Sequence, residues 1–239
     1  MKPLTGVLAE AWGLYRRFAG HFLAIAFVFY LVTAGIVALL TVSAGATGYF
    51  LAAVIEFIAA FLLQAAMVKA VQDVRDGRAD LSINATISAA VRYVLPVAGA
   101  SILAGIGIGV GLVFLVVPGL ILMTYWSLIV PNIVVGESGA MASFGKSWRA
   151  ISGHFWPAFG TYVLVFLIWI AVNIALGLVL LAVPAAVRSF VSTVVAGTLL
   201  APLYALVVTL VYYRLSEANA AVPAAPPRGG FAEPPTAQA

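Results

Sequence analysis

Polar residues interrupt this 239-residue chain so rarely that its apolar runs can be counted directly. Six runs are long enough to cross a bilayer, which takes about 20 mostly apolar residues in helical form. They are His21–Val42, Tyr49–Val71, Tyr93–Val116, Gly119–Val135, Phe155–Val183 and Val187–Tyr213. The third and fourth almost touch, and one helix through both would be about 60 Å long, twice the hydrocarbon thickness. A break at Val117-Pro118-Gly119 is expected instead, since proline removes a helical hydrogen bond and favours a turn. The pattern predicts an all-α fold, a polytopic membrane helical bundle of six transmembrane helices over residues 1–216. Residues 217–239 are rich in Ala, Pro and Gly without apolar periodicity, and read as a disordered cytoplasmic tail.

Between the long runs the periodicity changes. Leu4, Leu8, Ala11, Tyr15, Phe18 and Phe22 recur every three or four residues, with Arg16 and Arg17 off that stripe. Met141, Phe144, Trp148, Ile151 and Phe155 do the same, with Lys146 and Arg149 off it. Short amphipathic helices of this kind suit the membrane interface, apolar side down and cations at the headgroups. The two stretches also align: Gly20-His21-Phe22 matches Gly153-His154-Phe155, which sets Tyr15 against Trp148 and Arg16 against Arg149. The segment from Asp80 to Pro96, with Arg92, follows more loosely. Three repeated units of interfacial helix plus hairpin are expected near 1–72, 73–136 and 137–216. Chance likeness between two aromatic-rich amphipathic stretches is the alternative.

Composition removes one class of answer. The chain is 64% hydrophobic and 8% charged, with a mean hydropathy of +1.14. A soluble domain carries about 25% charged residues, so this chain cannot coat a globule in water. Lys2, Arg16 and Arg17 ahead of the first apolar run loosely suggest a signal peptide. A signal's apolar core is only about 7 to 15 residues, however, so a retained first helix is expected. The net charge of +4 does not point to nucleic acid, because the cations are strung between apolar runs instead of forming a stripe. They fit the positive-inside rule: with both termini cytoplasmic, only Arg188 of the 12 basic residues falls outside. There is no cysteine and only two histidines, so neither a metal nor another cofactor is expected.

A few polar groups fall inside the runs. Glu56 sits about ten residues into the second, near mid-bilayer at about 1.5 Å per residue. It must be protonated, paired or facing a wet cavity, since an unpaired charge there costs at least a few kcal/mol, by the estimates in about this range. A proton or cation site and a neutral hydrogen-bonded carboxyl are both open, with the second preferred. Gln64 lies eight residues on, roughly on the same face, and Asn173 is deep in the fifth run. Such amides usually hold helices together. Glu56, Gln64 and Asn173 form the candidate intramembrane polar site. Asn132, beside Pro131, reads as relief for a kinked helix end. Gly105, Gly107, Gly109 and Gly111 give two overlapping GxxxG pairs, read as close helix packing and not as a nucleotide loop. His21 and His154, at the start of their runs, suit a polar helix end better than a metal site. Arg16, Arg17, Lys146 and Arg149 are candidate lipid-headgroup contacts, equally explained as topology determinants.

Several stretches resemble the glycerophosphoryl diester phosphodiesterase membrane domain and related bacterial multi-span proteins. They are Asp73-Val-Arg-Asp-Gly77-Arg-Ala-Asp80-Leu-Ser82, Pro118-Gly-Leu-Ile-Leu-Met-Thr-Tyr-Trp126-Ser-Leu-Ile-Val-Pro131 followed by Glu137, Phe144-Gly-Lys146-Ser147-Trp148-Arg149, and Tyr212-Tyr213-Arg214-Leu215. The earlier Ala11-Trp12-Gly-Leu-Tyr15-Arg16 also fits. The resemblance implies a helical domain of the bacterial inner membrane. It implies no phosphodiesterase activity, which in fused members belongs to a separate soluble barrel that this chain lacks. Arg214 stands where relatives often carry aspartate, so no acidic role carries over to that position.

The expected function is a non-enzymatic integral membrane protein that organises lipid, or another membrane protein, at its cytoplasmic face. A small transporter or channel using Glu56 is the alternative, and it would need Glu56, Gln64 and Asn173 on one cavity. No Ser/His/Asp or paired-carboxylate arrangement supports an intramembrane enzyme.

Overall fold

The computed structural model describes residues 4–43, 45–75 and 82–220. Among these, every regular element is helical: α1 (Val7–Arg17), α2 (Ala19–Ser43), α3 (Gly45–Val74), α4 (Ile83–Val91), α5 (Val94–Phe114), α6 (Val116–Tyr125), α7 (Ile129–Val134), α8 (Ala140–Ile151), α9 (Phe155–Val179) and α10 (Ala185–Ala220). Six segments are long and apolar enough to cross a membrane: α2, α3 from Thr47, α5, the α6–α7 stretch Val116–Val134, α9, and Val187–Asn219 of α10. They coincide with the six apolar runs. Large apolar side chains such as Leu39, Val113 and Val179 stand fully out from the bundle. Surface of that kind is compatible with lipid and unsuited to water.

The hairpin between the third and fourth runs turns slightly earlier than the Val117-Pro118-Gly119 signal suggests. Leu115 is the extended residue, and α6 already begins at Val116. Pro118 then lies in the first turn of α6, where its missing N–H has no intrahelical acceptor to lose. Gly119 serves packing, not the turn. A Cβ on Gly119 would approach the Leu112 nitrogen at 2.9 Å, and one on Gly111 would approach the Gly119 backbone at 3.1 Å. Two helices cross there backbone to backbone. Gly107 is also needed, since a Cβ there would meet the Trp126 ring at 2.6 Å. Gly105 and Gly109 face open space, so the Gly107/Gly111 pair carries the close packing.

The centre of the bundle is α10, which lies against α1, α2, α3, α7, α8 and α9. Two-thirds (67%) of its apolar window is buried, against none (0%) of α9's. Leu203, Leu206, Val207, Leu210, Val211 and Leu215 supply its share of the main core, which Phe22, Ile25, Met67, Val71, Leu128 and Ile151 complete. It packs against α2 at Gly197, where a Cβ would come to 2.4 Å from the Tyr30 ring. A second core joins Ala65, Ala66 and Val68 of α3 to Val97 and Ala100 of α5 and Ile133 and Val134 of α7.

A short helix followed by two spanning-length segments recurs three times, as α1–α2–α3, α4–α5–α6/α7 and α8–α9–α10. The packing is less regular than that order, because α10 contacts α2 more extensively than its own hairpin partner α9. The aligned Gly-His pairs also differ. Gly153 has a φ of 88° in the break between α8 and α9, whereas Gly20 lies inside α2, after a bend at Phe18.

The two amphipathic helices have different fates. The stripe of α1 was expected to face the membrane interface, but Leu4, Val7, Ala11 and Tyr15 are buried in the main core. α1 lies along α10: Arg214 donates to the Thr5 carbonyl at 2.6 Å and pairs with Glu10, and the Tyr15 hydroxyl reaches the Leu199 carbonyl. Protein, not lipid, covers its apolar side. In α8 the buried positions are Ser143, Ser147 and Ile151, while Met141 (72% exposed) and Trp148 (43%) point outward. The stripe of α8 is thus split: Ile151 joins the main core with Phe155 packed against it and Phe144 packs on the second core, while Met141 and one side of Trp148 are left exposed.

The helix α10 continues through Ala220, so the start of the expected tail is helical. The rest of that tail, from 221 to 239, lies outside the described residues, as do Lys2, Arg78 and the Asp76–Leu81 part of the resemblance motif.

Candidate functional site

Basic residues gather at one end of the bundle, where α1, α4, α8 and the last turns of α3 and α10 meet. Three ion pairs tie these elements together: Arg75 with Glu217, Arg92 with Glu137, and Arg214 with Glu10. Arg75 also lies over the Tyr213 ring at 3.7 Å, and Lys69 and Arg92 flank the Tyr93 ring at 5.2 and 4.6 Å. The ion pairs are largely solvent-exposed, so each is worth at most about 1 kcal/mol. Their effect is to fix which helix ends are neighbours.

One groove at this end differs from the ion-paired surface around it. It lies between α7, α8 and α10 and is lined by Asn132, Gly136, Lys146, Arg149, Ala150, Tyr212, Ser216 and Asn219, with a cavity volume near 560 Å³. Two cations and several neutral hydrogen-bonding groups face it, and among the described residues no carboxylate lines it. Lys146 Nζ donates to Ser138 Oγ at 2.7 Å, which anchors the ammonium at the rim. Gly136 forms part of the floor: a Cβ there would approach the Tyr212 hydroxyl at 2.8 Å. On the other side of Lys146 and Arg149, Met141, Ala142, Gly145 and Trp148 line a shallower, mostly apolar depression. The two cations therefore stand on a ridge between a polar groove and an apolar one.

Local structure sets that ridge in place. Ser147 is fully buried; its hydroxyl donates to the Tyr125 carbonyl at 2.6 Å and accepts from the Leu128 N–H at 3.1 Å. Those are backbone groups freed where α6 gives way to α7, and α8 is pinned against them. Trp148 stacks on Tyr125 at 3.9 Å, and Phe155 stacks on the same ring at 5.2 Å. Asn132 Nδ2 donates to the Leu128 carbonyl at 2.8 Å, a carbonyl that also accepts the Asn132 backbone N–H at 3.0 Å.

The four basic residues expected at headgroups separate into two places. Lys146 and Arg149 share the ridge on α8, while Arg16 and Arg17 are exposed on α1, Arg17 lying over Phe18 at 5.3 Å. The three polar residues expected to form one site within the apolar segments do not come together. Glu56 and Gln64 face outward from α3, and Asn173 on α9 donates to the Trp169 carbonyl of its own helix at 2.8 Å. Among the described residues, His21 Nε2 and His154 Nδ1 are buried without a hydrogen-bond partner, His21 inside α2 and His154 just ahead of α9.

Sequence reasoning found Lys146 and Arg149 but missed their companions on α10. Tyr212, Ser216 and Asn219 are spaced four and three residues apart, one helical face of polar groups ending a long apolar run. That signal was present but overshadowed by Arg214. Gly136 gave no signal, because its role depends on a tyrosine 76 positions away.

No characterised protein and no solved structure matches the chain. A family model does match, over residues 74–222, from the end of α3 through α10. That region contains the groove and nearly all of the motifs quoted for the resemblance, and the family matched there is one of unknown function. The chain belongs to the family defined by a domain of unknown function, DUF7847.

Proposed function

We infer that this is a non-enzymatic membrane module that gathers anionic lipid at its basic end. One observation carries the reading: Lys146 and Arg149 stand between a polar groove, whose described lining holds no carboxylate, and an apolar depression beside Trp148. A phosphate group would take the two cations and the hydroxyl of Tyr212 or Ser216, while an acyl chain follows the apolar side. Each cation near a charged headgroup contributes about 1 kcal/mol of attraction. The bias of basic residues supports assigning this end to the cytoplasm, and the likeness to the phosphodiesterase membrane domain supports a bacterial inner membrane. A second membrane protein with an acidic segment is the other ligand of fitting charge. The transporter alternative lacks comparable support, because Glu56 and Gln64 point out of the bundle.

The test uses the purified full chain in phosphatidylcholine nanodiscs doped with spin-labelled phosphatidylglycerol. Tryptophan fluorescence should be quenched several-fold more than with spin-labelled phosphatidylcholine, and Trp148→Phe should remove most of the difference. Lys146→Gln with Arg149→Gln should abolish the preference. Competition by inorganic phosphate would assign the groove to free anions; equal quenching by both lipids would overturn the reading.

A further inference from the structure

The outward face of α3 carries an arrangement that the basic groove does not use. Ala53, Glu56, Ala60 and Gln64 are spaced three, four and four residues apart, so they form one stripe along the helix. All four are exposed, whereas Ala52, Leu63, Ala66, Met67 and Val71 on other faces are buried against neighbouring helices. Glu56 lies 11 residues beyond Gly45, about 17 Å along the helix, and Gln64 lies about 12 Å further. Neither side chain has a hydrogen-bond or ionic partner among the described residues. In hydrocarbon, a carboxyl and a carboxamide left unpartnered are both unfavourable.

We propose that this stripe is the interface with a second copy of the chain. The proposal rests on the six apolar segments being bilayer spans, but not on the lipid reading of the basic groove. Copies inserted the same way hold each residue at the same depth, so a residue on the two-fold axis meets its own counterpart. The two polar groups here are suited to that. A neutral carboxyl is both donor and acceptor and pairs with its copy through two reciprocal hydrogen bonds; a carboxamide does the same. Ala53 and Ala60 leave the backbones free to approach, as small residues do where membrane helices meet. Lipid tails offer no polar group at either depth. An unrelated partner would have to present matching groups at both.

The chain has no cysteine, so a single introduced one reports contact directly. Full-length Ala60→Cys in liposomes, mildly oxidised, should form disulfide-linked dimer at least ten-fold faster than Leu167→Cys, an exposed control on α9. In energy transfer between labelled wild-type copies, Glu56→Leu should weaken association by about three- to twenty-fold, the range for membrane hydrogen bonds. Glu56→Gln should retain it, because a carboxamide is also self-complementary. Since these side chains face outward, the monomer fold is checked by an unchanged helical circular-dichroism spectrum, because weaker association by itself lowers the melting temperature. Cross-linking no faster at Ala60→Cys than at Leu167→Cys would overturn the proposal. So would unchanged energy transfer in a Glu56→Leu, Gln64→Leu double variant. Lipid selectivity at Lys146 and Arg149 would be untouched by either result.

Discussion

The hydroxyl of Tyr15 donates to the carbonyl of Leu199 at 3.1 Å, joining α1 to the middle of α10 across 184 residues of chain. Leu199 lies three residues before Pro202, in the turn where α10 has lost the bond that a Pro202 N–H would have made to Thr198. The short helix α1 therefore docks one residue away from that gap, on a carbonyl of the same turn. Burial holds the Tyr15 phenol above the ordinary tyrosine value of 10.0, which favours the neutral donor. The bond is present below that value and is lost only as pH rises through the raised one. Tyr15→Phe keeps the ring and removes the donor. It should cost about 0.5–1.5 kcal/mol, with amide exchange accelerating in α1 and not in α9. Unchanged exchange in α1 would mean that packing alone holds it.

Gly197 and Tyr30 mark the crossing of α10 with α2. Gly197→Ala should destabilise by about 1–3 kcal/mol through overpacking, read as a lower melting temperature in detergent. Tyr30→Leu in the same chain should restore much of the loss. A Gly197→Ala protein as stable as wild type would mean that the two helices separate at no cost.

The four glycines of α5 should divide into pairs. Gly107→Ala and Gly111→Ala drive a Cβ into Trp126 and into the Gly119 backbone, so each should cost about 1–3 kcal/mol. Gly105→Ala and Gly109→Ala meet open space and should be neutral or stabilising by about 0.5–1 kcal/mol, the helix preference of alanine. Thermal unfolding of the four single variants decides it; four equal effects would contradict the crossing at Gly111 and Gly119.

Ser147→Ala removes a buried hydroxyl that satisfies two backbone groups at the α6–α7 junction. A loss of about 1–3 kcal/mol is expected from the orphaned Leu128 N–H and Tyr125 carbonyl. Because Ser147 orients the helix bearing Lys146 and Arg149, the preference for anionic lipid should fall as well, though neither cation is touched. Ser147→Thr, which keeps the hydroxyl, is the control.

The six apolar segments were legible because lipid-compatible length and composition leave a strong one-dimensional signal. What each amphipathic helix packs against was not. The stripes of α1 and α8 look alike in sequence, yet α1 has α10 alongside it while α8 turns Ser143 and Ser147 inward. Periodicity reports that a helix has two faces, not which neighbour covers them. The groove was half legible. Its cations stood out against an apolar background, but Gly136 under Tyr212 is a relation between distant positions that no local pattern contains. Likewise Arg214, read as a departure from an acidic position, turns out to hold Glu10 and the Thr5 carbonyl.

The central place of α10 bears on how the protein is made. Every other described helix precedes it in the chain, so a chain that folds as it is made carries α2, α3 and α9 with the surfaces they will later bury against it still open. Until α10 arrives, Phe22, Ile25 and Met67 have one another and Val71 to rest against but lack the central wall of their core. Completion of the main core is thus gated by α10. A chain stalled after α9 would hold five of the six apolar segments with no hub, a natural substrate for quality-control proteases.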